Sequence, residues 1–151
     1  TTGRPGPVVV DIPKDVQFAT APYRGPGQVR PHYAPRTQGD PAKIAAAVEL
    51  LAGAKRPVIY TGGGVINAGP RASRLLRELA RELGAPVTST LMGLGAFPAD
   101  DPQWLGMLGM HGSYEANMAM HGADLILCLG ARFDDRVTGR LDAFSPRSKK
   151  I

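Results

Sequence analysis

Three short strand-like segments, each followed by glycine or a polar loop, constrain the fold of this chain more than any other feature. They occupy residues 57–61, 86–90 and 125–129. Apolar and β-branched runs of this length are typical of strands buried on both faces of a sheet. Because helical patterns separate these segments, we expect parallel strands joined by right-handed crossovers. We therefore predict an α/β fold, with an open parallel sheet and helices on both of its faces.

The clearest helical pattern follows the first of these segments. Apolar residues recur there at three- and four-residue intervals, which predicts a helix that begins at Pro70 and ends before Gly84. Its apolar side is formed by Ala72, Leu75, Leu76, Leu79, Ala80 and Leu83. Charged residues occupy the other faces and are most simply a solvated surface.

Two more helices are predicted from their end signals. One has Asp40 as its N-cap and Pro41 as its first residue, and it ends at Gly53. Its apolar stripe consists of Ile44, Ala47, Val48 and Leu51. The other follows the N-cap Ser113 and ends at Gly122, just before the third strand.

The loops that follow the strands carry the candidate binding residues. Glycines 62–64 follow the first strand, but their spacing is not that of a dinucleotide fingerprint. They are equally compatible with a phosphate-binding turn and with a purely structural one. Five flexible or polar residues follow the third strand, namely Gly130, Arg132, Asp134, Asp135 and Arg136. Since ligands bind beyond the carboxyl ends of parallel strands, a site is expected at this edge of the sheet.

The composition weighs against several functions. There are 18 lysine and arginine residues against 13 acidic ones, but the basic residues are scattered and do not alternate with aromatic ones. Nucleic-acid binding is therefore not expected, whereas an anionic small ligand would suit the formal charge of +5. No apolar run is long enough to span a membrane, and no targeting segment is visible. The single cysteine, Cys128, lies in an apolar run and is expected to be a buried thiol, which fits a reducing, cytoplasmic location.

The residues that could support chemistry do not form a recognisable catalytic set. His111 lies between two glycines, and a role in packing or hydrogen bonding a ligand is favoured over that of a base. Asp134 and Asp135 could suggest an acid–base pair, but ion pairing with Arg132 and Arg136 explains them more simply. No histidines or cysteines have the spacing of metal ligands.

The two ends of the chain carry less information. Residues 8–12 are predicted to form a strand, and residues 18–39 have the proline- and glycine-rich composition of a linker. A further strand is expected to begin at Ile151. If it were missing, residues 125–129 would form an exposed edge of the sheet.

The segment LGMLGMHGSYEANMAMHGADLILCLGARFDDRVTG resembles the central domain of the acetohydroxyacid synthase (acetolactate synthase) catalytic subunit family. The resemblance implies a Rossmann-like domain that binds FAD, which has no net redox role in the reaction. It also implies an enzyme that decarboxylates pyruvate on thiamine diphosphate. The two-carbon unit is then joined to a second 2-ketoacid, pyruvate or 2-ketobutyrate, in branched-chain amino-acid synthesis.

The resemblance also implies a division of the chain and a set of contacts. Residues 1–17 would close a preceding pyrimidine-binding domain, 18–39 would be a linker, and 40–151 would be an incomplete FAD-binding domain. Arg136 and Met110 would contact the ketoacid substrate. The FAD contacts would be Gly62, Gly64, Asn67, Thr90, Leu91, Met110, His111, Gly130, Arg132, Asp134 and Val137.

No catalytic residue and no metal ligand is expected within this chain. In the resembled family the glutamate that activates thiamine belongs to the preceding domain, and the following domain binds Mg²⁺ and the diphosphate. The resemblance further implies a homo-oligomer, a dimer or tetramer, that can bind a regulatory small subunit. Two alternatives remain at this stage: another thiamine diphosphate-dependent carboligase or decarboxylase, and a stand-alone nucleotide-binding module.

Overall fold

The computed structural model describes residues 6–23, 25–26 and 35–151, which belong to two compact units, Thr1–Asp40 and Pro41–Ile151. In the described part of the first unit, residues 14–18 form the short helix α1 (Lys14–Phe18). The strand predicted at residues 8–12 is wrong, because these residues are exposed and form no ladder that would support a strand. Apart from Phe18, the last residue of α1, the described part of the predicted linker 18–39 has no α-helix or strand. The other linker residues, and residues 1–5 of the predicted tail, lie outside the described residues.

The second unit is built on a five-stranded sheet in which every pairing is parallel. Its strands follow the order β3-β2-β1-β4-β5. They are β1 (Pro57–Thr61), β2 (Val87–Ser89), β3 (Trp104–Met107), β4 (Leu125–Leu129) and β5 (Lys149–Lys150). The predicted fold class, an open parallel sheet with crossover helices, is confirmed.

Helices cover both faces of this sheet. They are α2 (Pro41–Gly53), α3 (Gly63–Asn67), α4 (Pro70–Leu83), α5 (Tyr114–Gly122) and α6 (Asp135–Thr138). On β1, Ile59 packs in the cluster that includes Leu76 and Ala80 of α4. Its neighbour Tyr60 packs on the opposite face with Ala116 and Met120 of α5. This alternation follows from the two-residue period of a strand.

Strand β3 is not among the three strands predicted from the sequence. The segment is short and contains Gly106, whose positive φ of 83° interrupts any regular strand pattern. It pairs with β2 with a register shift between Val87 and Ser89, and the Thr88 hydroxyl donates to the Gly106 carbonyl at 2.9 Å. Tertiary pairing therefore forms a strand that local propensity does not indicate.

The last strand begins earlier than expected. β5 occupies Lys149–Lys150 and pairs with β4, and the N–H of Ile151 donates to the Ile126 carbonyl at 3.0 Å. Strand β4 consequently lies inside the sheet, between β1 and β5. The expectation that residues 125–129 could be an exposed edge is wrong, because the short, lysine-bearing β5 takes that position.

Two predicted apolar helix faces are only partly buried. In α2, Ile44 and Val48 are 55% and 58% exposed, whereas Leu51 packs against the core. In α4, Leu76 is buried but Leu75 is about half exposed, because successive residues on a helix point about 100° apart. Both helices nevertheless have the predicted limits, and Gly84 ends α4 in the left-handed conformation. Within the described ranges, no helix combines the length and the apolar character that crossing a membrane requires.

Candidate functional site

All of the predicted site residues follow the carboxyl ends of four adjacent strands. These strands end at Thr61, Ser89, Met107 and Leu129. Strand β1 is the point at which the order reverses, because β2 lies on one side of it and β4 on the other. In open parallel sheets a ligand crevice forms at such a reversal. The residues at this edge are Gly62, Gly64, Asn67, Thr90, Leu91, Met110, His111, Gly130, Arg132, Asp134, Arg136 and Val137.

Glycines allow the loops after β1 and β4 to touch backbone to backbone. The N–H of Gly64 donates to the Gly130 carbonyl at 2.9 Å, and the N–H of Gly62 donates to the Leu129 carbonyl at 3.0 Å. A Cβ on Gly62 would lie 2.5 Å from the Gly130 oxygen, and one on Gly64 would lie 2.7 Å from the Gly130 Cα. These glycines therefore have a structural role, and their predicted contact with a ligand stays a prediction. The glycine segment after β1 runs directly into the short helix α3, which was not predicted.

The loop after β3 brings together the two predicted substrate residues. The N–H of Met110 donates to the Arg136 carbonyl at 2.9 Å. The preceding residue, Gly109, has φ of +89°, and a Cβ there would lie 2.5 Å from the same oxygen. The side chains of Met110, His111 and Arg136 are all exposed, so they are accessible to a ligand at this edge.

Helix α5 holds this loop through two polar side chains. Ser113 is the predicted N-cap and accepts from the Ala116 N–H at 3.1 Å, while its hydroxyl donates to the Leu105 carbonyl at 2.7 Å. Asn117 binds both backbone groups of Gly109, accepting from its N–H at 2.9 Å and donating to its carbonyl at 3.1 Å. Asn117 was not singled out in the sequence. An asparagine inside a helix is the one available signal, because it is a poor helix former.

The loop after β4 is held by a buried phenol and a short helix. The Tyr60 hydroxyl donates to the Arg132 carbonyl at 2.9 Å, and burial, followed by the nearby Cys128 and Asp134, raises the pKa of this phenol. Asp134 caps α6, accepting from the Val137 N–H at 3.2 Å, and its carboxylate lies 3.6 Å from the Arg132 guanidinium.

These contacts decide between the interpretations of the acidic pair. The predicted ion pair is confirmed for Arg132 and Asp134. Asp135 lies in the first turn of α6, and among the described residues neither it nor Arg136 belongs to an ion pair. Val137 is half-buried against the core and its N–H is bound by Asp134, so its predicted ligand contact stays a prediction.

The chemical character of the edge is mixed. The loops at this edge carry the exposed apolar side chains of Leu91, Met92 and Met110 and the exposed guanidinium groups of Arg132 and Arg136. Such a surface suits a ligand that has a flat apolar part and an anionic part. Within the described residues, no group of three or more histidine, cysteine or acidic side chains is arranged to hold a metal ion.

The all-parallel sheet, its strand order and the helices on both of its faces define a Rossmann-like α/β domain. Residues 44–151 match the family described as thiamine pyrophosphate enzyme, central domain, and the chain belongs to this family.

Three relatives show how far the similarity extends. The acetolactate synthase large subunit of Haemophilus influenzae is 51% identical over 100% of this chain and 26% of its own length. That of Buchnera aphidicola subsp. Schlechtendalia chinensis is 50% identical over the same shares. The acetolactate synthase isozyme 3 large subunit of Escherichia coli K12 is 51% identical over 97% of this chain and 26% of its own length. The chain therefore spans about a quarter of the length of these relatives.

Proposed function

We propose that this chain is the central segment of an acetolactate synthase catalytic subunit. The observation that carries the proposal is the identity of about half to acetolactate synthase large subunits across the entire chain. The full-length enzyme would decarboxylate pyruvate and join the two-carbon unit to pyruvate or 2-ketobutyrate. Thiamine diphosphate, held with Mg²⁺ by other domains, supplies the carbanion-stabilising ring. This segment would bind FAD and line the approach of the second ketoacid.

The residues at the carboxyl edge of the sheet support the proposed binding of FAD. Exposed Leu91 and Met110 offer apolar contacts for a flat ring, and the exposed guanidinium of Arg132 suits a diphosphate. The glycines at 62, 64 and 130 let the loops approach each other closely, and they are proposed to contact the cofactor. Bound FAD supplies a planar ring and a diphosphate to this surface. The residues of the chain are expected to orient it and to exclude water from it.

Arg136 is proposed to bind the carboxylate of the second ketoacid. Its guanidinium is permanently charged, and its forked donors match a carboxylate. It is exposed, and no described acidic side chain neutralises it. Its backbone is fixed by the bond from Met110, whose flexible thioether would line the channel beside it.

The domain boundaries, the assembly and the location of the enzyme are part of the same proposal. Residues 1–17 would end a preceding domain, 18–39 would be a linker, and 40–151 would be part of the FAD-binding domain. The relatives are named large subunits, which favours a partner small subunit for a homo-oligomeric catalytic subunit. A cytoplasmic location is proposed for the enzyme.

The proposal is tested with the full-length protein that contains this segment. Purified protein supplied with thiamine diphosphate, Mg²⁺ and FAD should convert pyruvate to acetolactate, and flavin should co-purify or rebind. Formation of an aldehyde or of another condensation product would instead indicate a different thiamine diphosphate-dependent enzyme. Flavin binding with no consumption of pyruvate would indicate a nucleotide-binding module.

A further inference from the structure

We infer that Asn117 is a positioning residue that sets the distance between Met110 and Arg136. The inference rests on the proposed role of these two residues at the ketoacid site. Its basis is that the Asn117 side chain engages both the N–H and the carbonyl of Gly109, as a neighbouring strand would. The same amide also donates to the Ser113 carbonyl at 3.0 Å, which ties it to the start of its own helix.

Gly109 in turn lies directly against the backbone of Arg136. Gly109 approaches Arg136 so closely that a Cβ would lie 2.5 Å from the Arg136 oxygen, and the next N–H, that of Met110, donates to this oxygen. A shift of Gly109 must therefore move either the Met110 N–H or the Arg136 carbonyl. The Asn117 amide is the side chain that holds Gly109 against such a shift.

Helix α5 provides a rigid base for this side chain. Ala116 and Met120 precede and follow Asn117 in α5. Both are buried in the core on the face of the sheet that α5 covers. The helix start is capped by Ser113, whose N–H also donates to the Met107 carbonyl at 2.9 Å. The loop is therefore anchored to the packed core through α5, and not through solvent-exposed atoms.

The chemistry of the contact requires an amide. Oδ1 accepts one N–H, while Nδ2 donates to two carbonyl oxygens, and no other side chain of this length offers both functions. Aspartate has nearly the same shape but would place a charged oxygen against both carbonyls. Alanine would leave all three backbone groups without this partner.

The matched control is Gln103, another side-chain amide that binds two carbonyls. Its Nε2 donates to Ala80 and Ala85 at 2.7 Å each, at the amino end of β3 and therefore at the opposite edge of the sheet. Gln103→Ala removes a comparable number of amide-to-backbone bonds but leaves the proposed site untouched.

The experiment uses the full-length protein with Asn117→Ala, Asn117→Asp and Gln103→Ala. We expect both Asn117 variants to lose about 10- to 100-fold in carboligation rate at fixed ketoacid, because small displacements of a binding group have effects of this size. Gln103→Ala should remain within about 2-fold. Amide exchange in peptides covering residues 108–112 and 135–138 should accelerate about 10-fold or more in the Asn117 variants only.

Two results would overturn the inference. One is an equal loss of rate in Gln103→Ala, which would indicate general destabilisation. The other is unchanged exchange at residues 108–112 and 135–138 in folded Asn117→Asp. A wild-type protein that makes no acetohydroxy acid would refute the proposed function instead, and the exchange comparison would still decide whether Asn117 holds the loop.

Discussion

The backbone N–H of Met110 donates to the carbonyl of Arg136 at 2.9 Å, which joins the loops that follow β3 and β4. These strands are not neighbours, since β2 and β1 lie between them in the sheet. Helix α5 packs on one face of the sheet and connects β3 to β4 along the chain. The two loops therefore meet at the carboxyl edge of the sheet, on the side that α5 covers.

The first prediction concerns the charge at Arg136. In the full-length protein, Arg136→Lys keeps the charge but loses the fork that binds a carboxylate. A charge-assisted hydrogen bond contributes about 1.5–3 kcal/mol, so carboligation should fall about 10- to 150-fold. Flavin content per subunit should change little. Arg140→Lys is the control, because Arg140 is also exposed but pairs with Asp142. A variant that releases flavin yet turns over normally when flavin is resupplied would make Arg136 a cofactor anchor.

The second prediction concerns the approach of Gly109 to Arg136. Gly109→Ala should disturb the site for two reasons, a positive φ and a Cβ that would lie 2.5 Å from the Arg136 oxygen. Gly95→Ala is the control, since Gly95 has φ of +94° but no atom within 4 Å of the added Cβ. Backbone strain of about 1–2 kcal/mol is common to both. Only Gly109→Ala should lower carboligation beyond its effect on thermal unfolding, and equal losses in the two variants would contradict this.

The third prediction concerns the buried phenol of Tyr60. Tyr60→Phe removes only the hydroxyl that binds the Arg132 carbonyl, and should lower the free energy of unfolding by about 0.5–1.5 kcal/mol. Because burial raises the pKa of Tyr60, its stabilising contribution is present below the unfolded pKa of about 10 and is lost as pH rises further. Denaturation of the chain between pH 8 and pH 11 should therefore show a steeper alkaline loss in wild type than in Tyr60→Phe. Exposed Tyr114→Phe should behave as wild type.

The fourth prediction concerns acid stability. The Asp124 carboxylate accepts the N–H groups of Lys55 and Arg56 at 2.7 and 2.9 Å, and these bonds, that of Lys55 first, lower its pKa. The contribution is present above the unfolded pKa of about 4 and is lost as pH falls through the folded value. Asp124→Asn should thus destabilise the chain at pH 7 and less so at pH 3. Melting curves across this range test it, with exposed Asp100→Asn as control, and a pH-independent difference would refute it.

The fifth prediction concerns the isolated 151-residue chain. It should form no acetolactate from pyruvate even with thiamine diphosphate, Mg²⁺ and FAD, because it matches only a central domain and spans about a quarter of its relatives. Product should be sought with chain purified from a host that lacks its own synthase. Turnover above the background of a mock purification would contradict the proposal that other domains of the enzyme are required for catalysis.

Local patterns predicted most of the second unit. The amphipathic helix Pro70–Leu83 and the strands Pro57–Thr61 and Leu125–Leu129 were located correctly, because burial imposes their periodicity directly on the sequence. The same patterns failed at residues 8–12. An apolar run becomes a strand only when another strand pairs with it. The sequence of the run does not indicate whether such a partner is present.

The sequence by itself determined the fold class, the helix and strand limits near the core, and which loops follow the strands. Tertiary structure alone decided that β3 exists, that β4 is interior, and that Asn117 holds Gly109 beside Arg136. The physical reason is the range of the interactions. Caps and amphipathic faces join residues within one or two turns, whereas these contacts join backbone groups of separate loops whose distance is set by the packed sheet and α5.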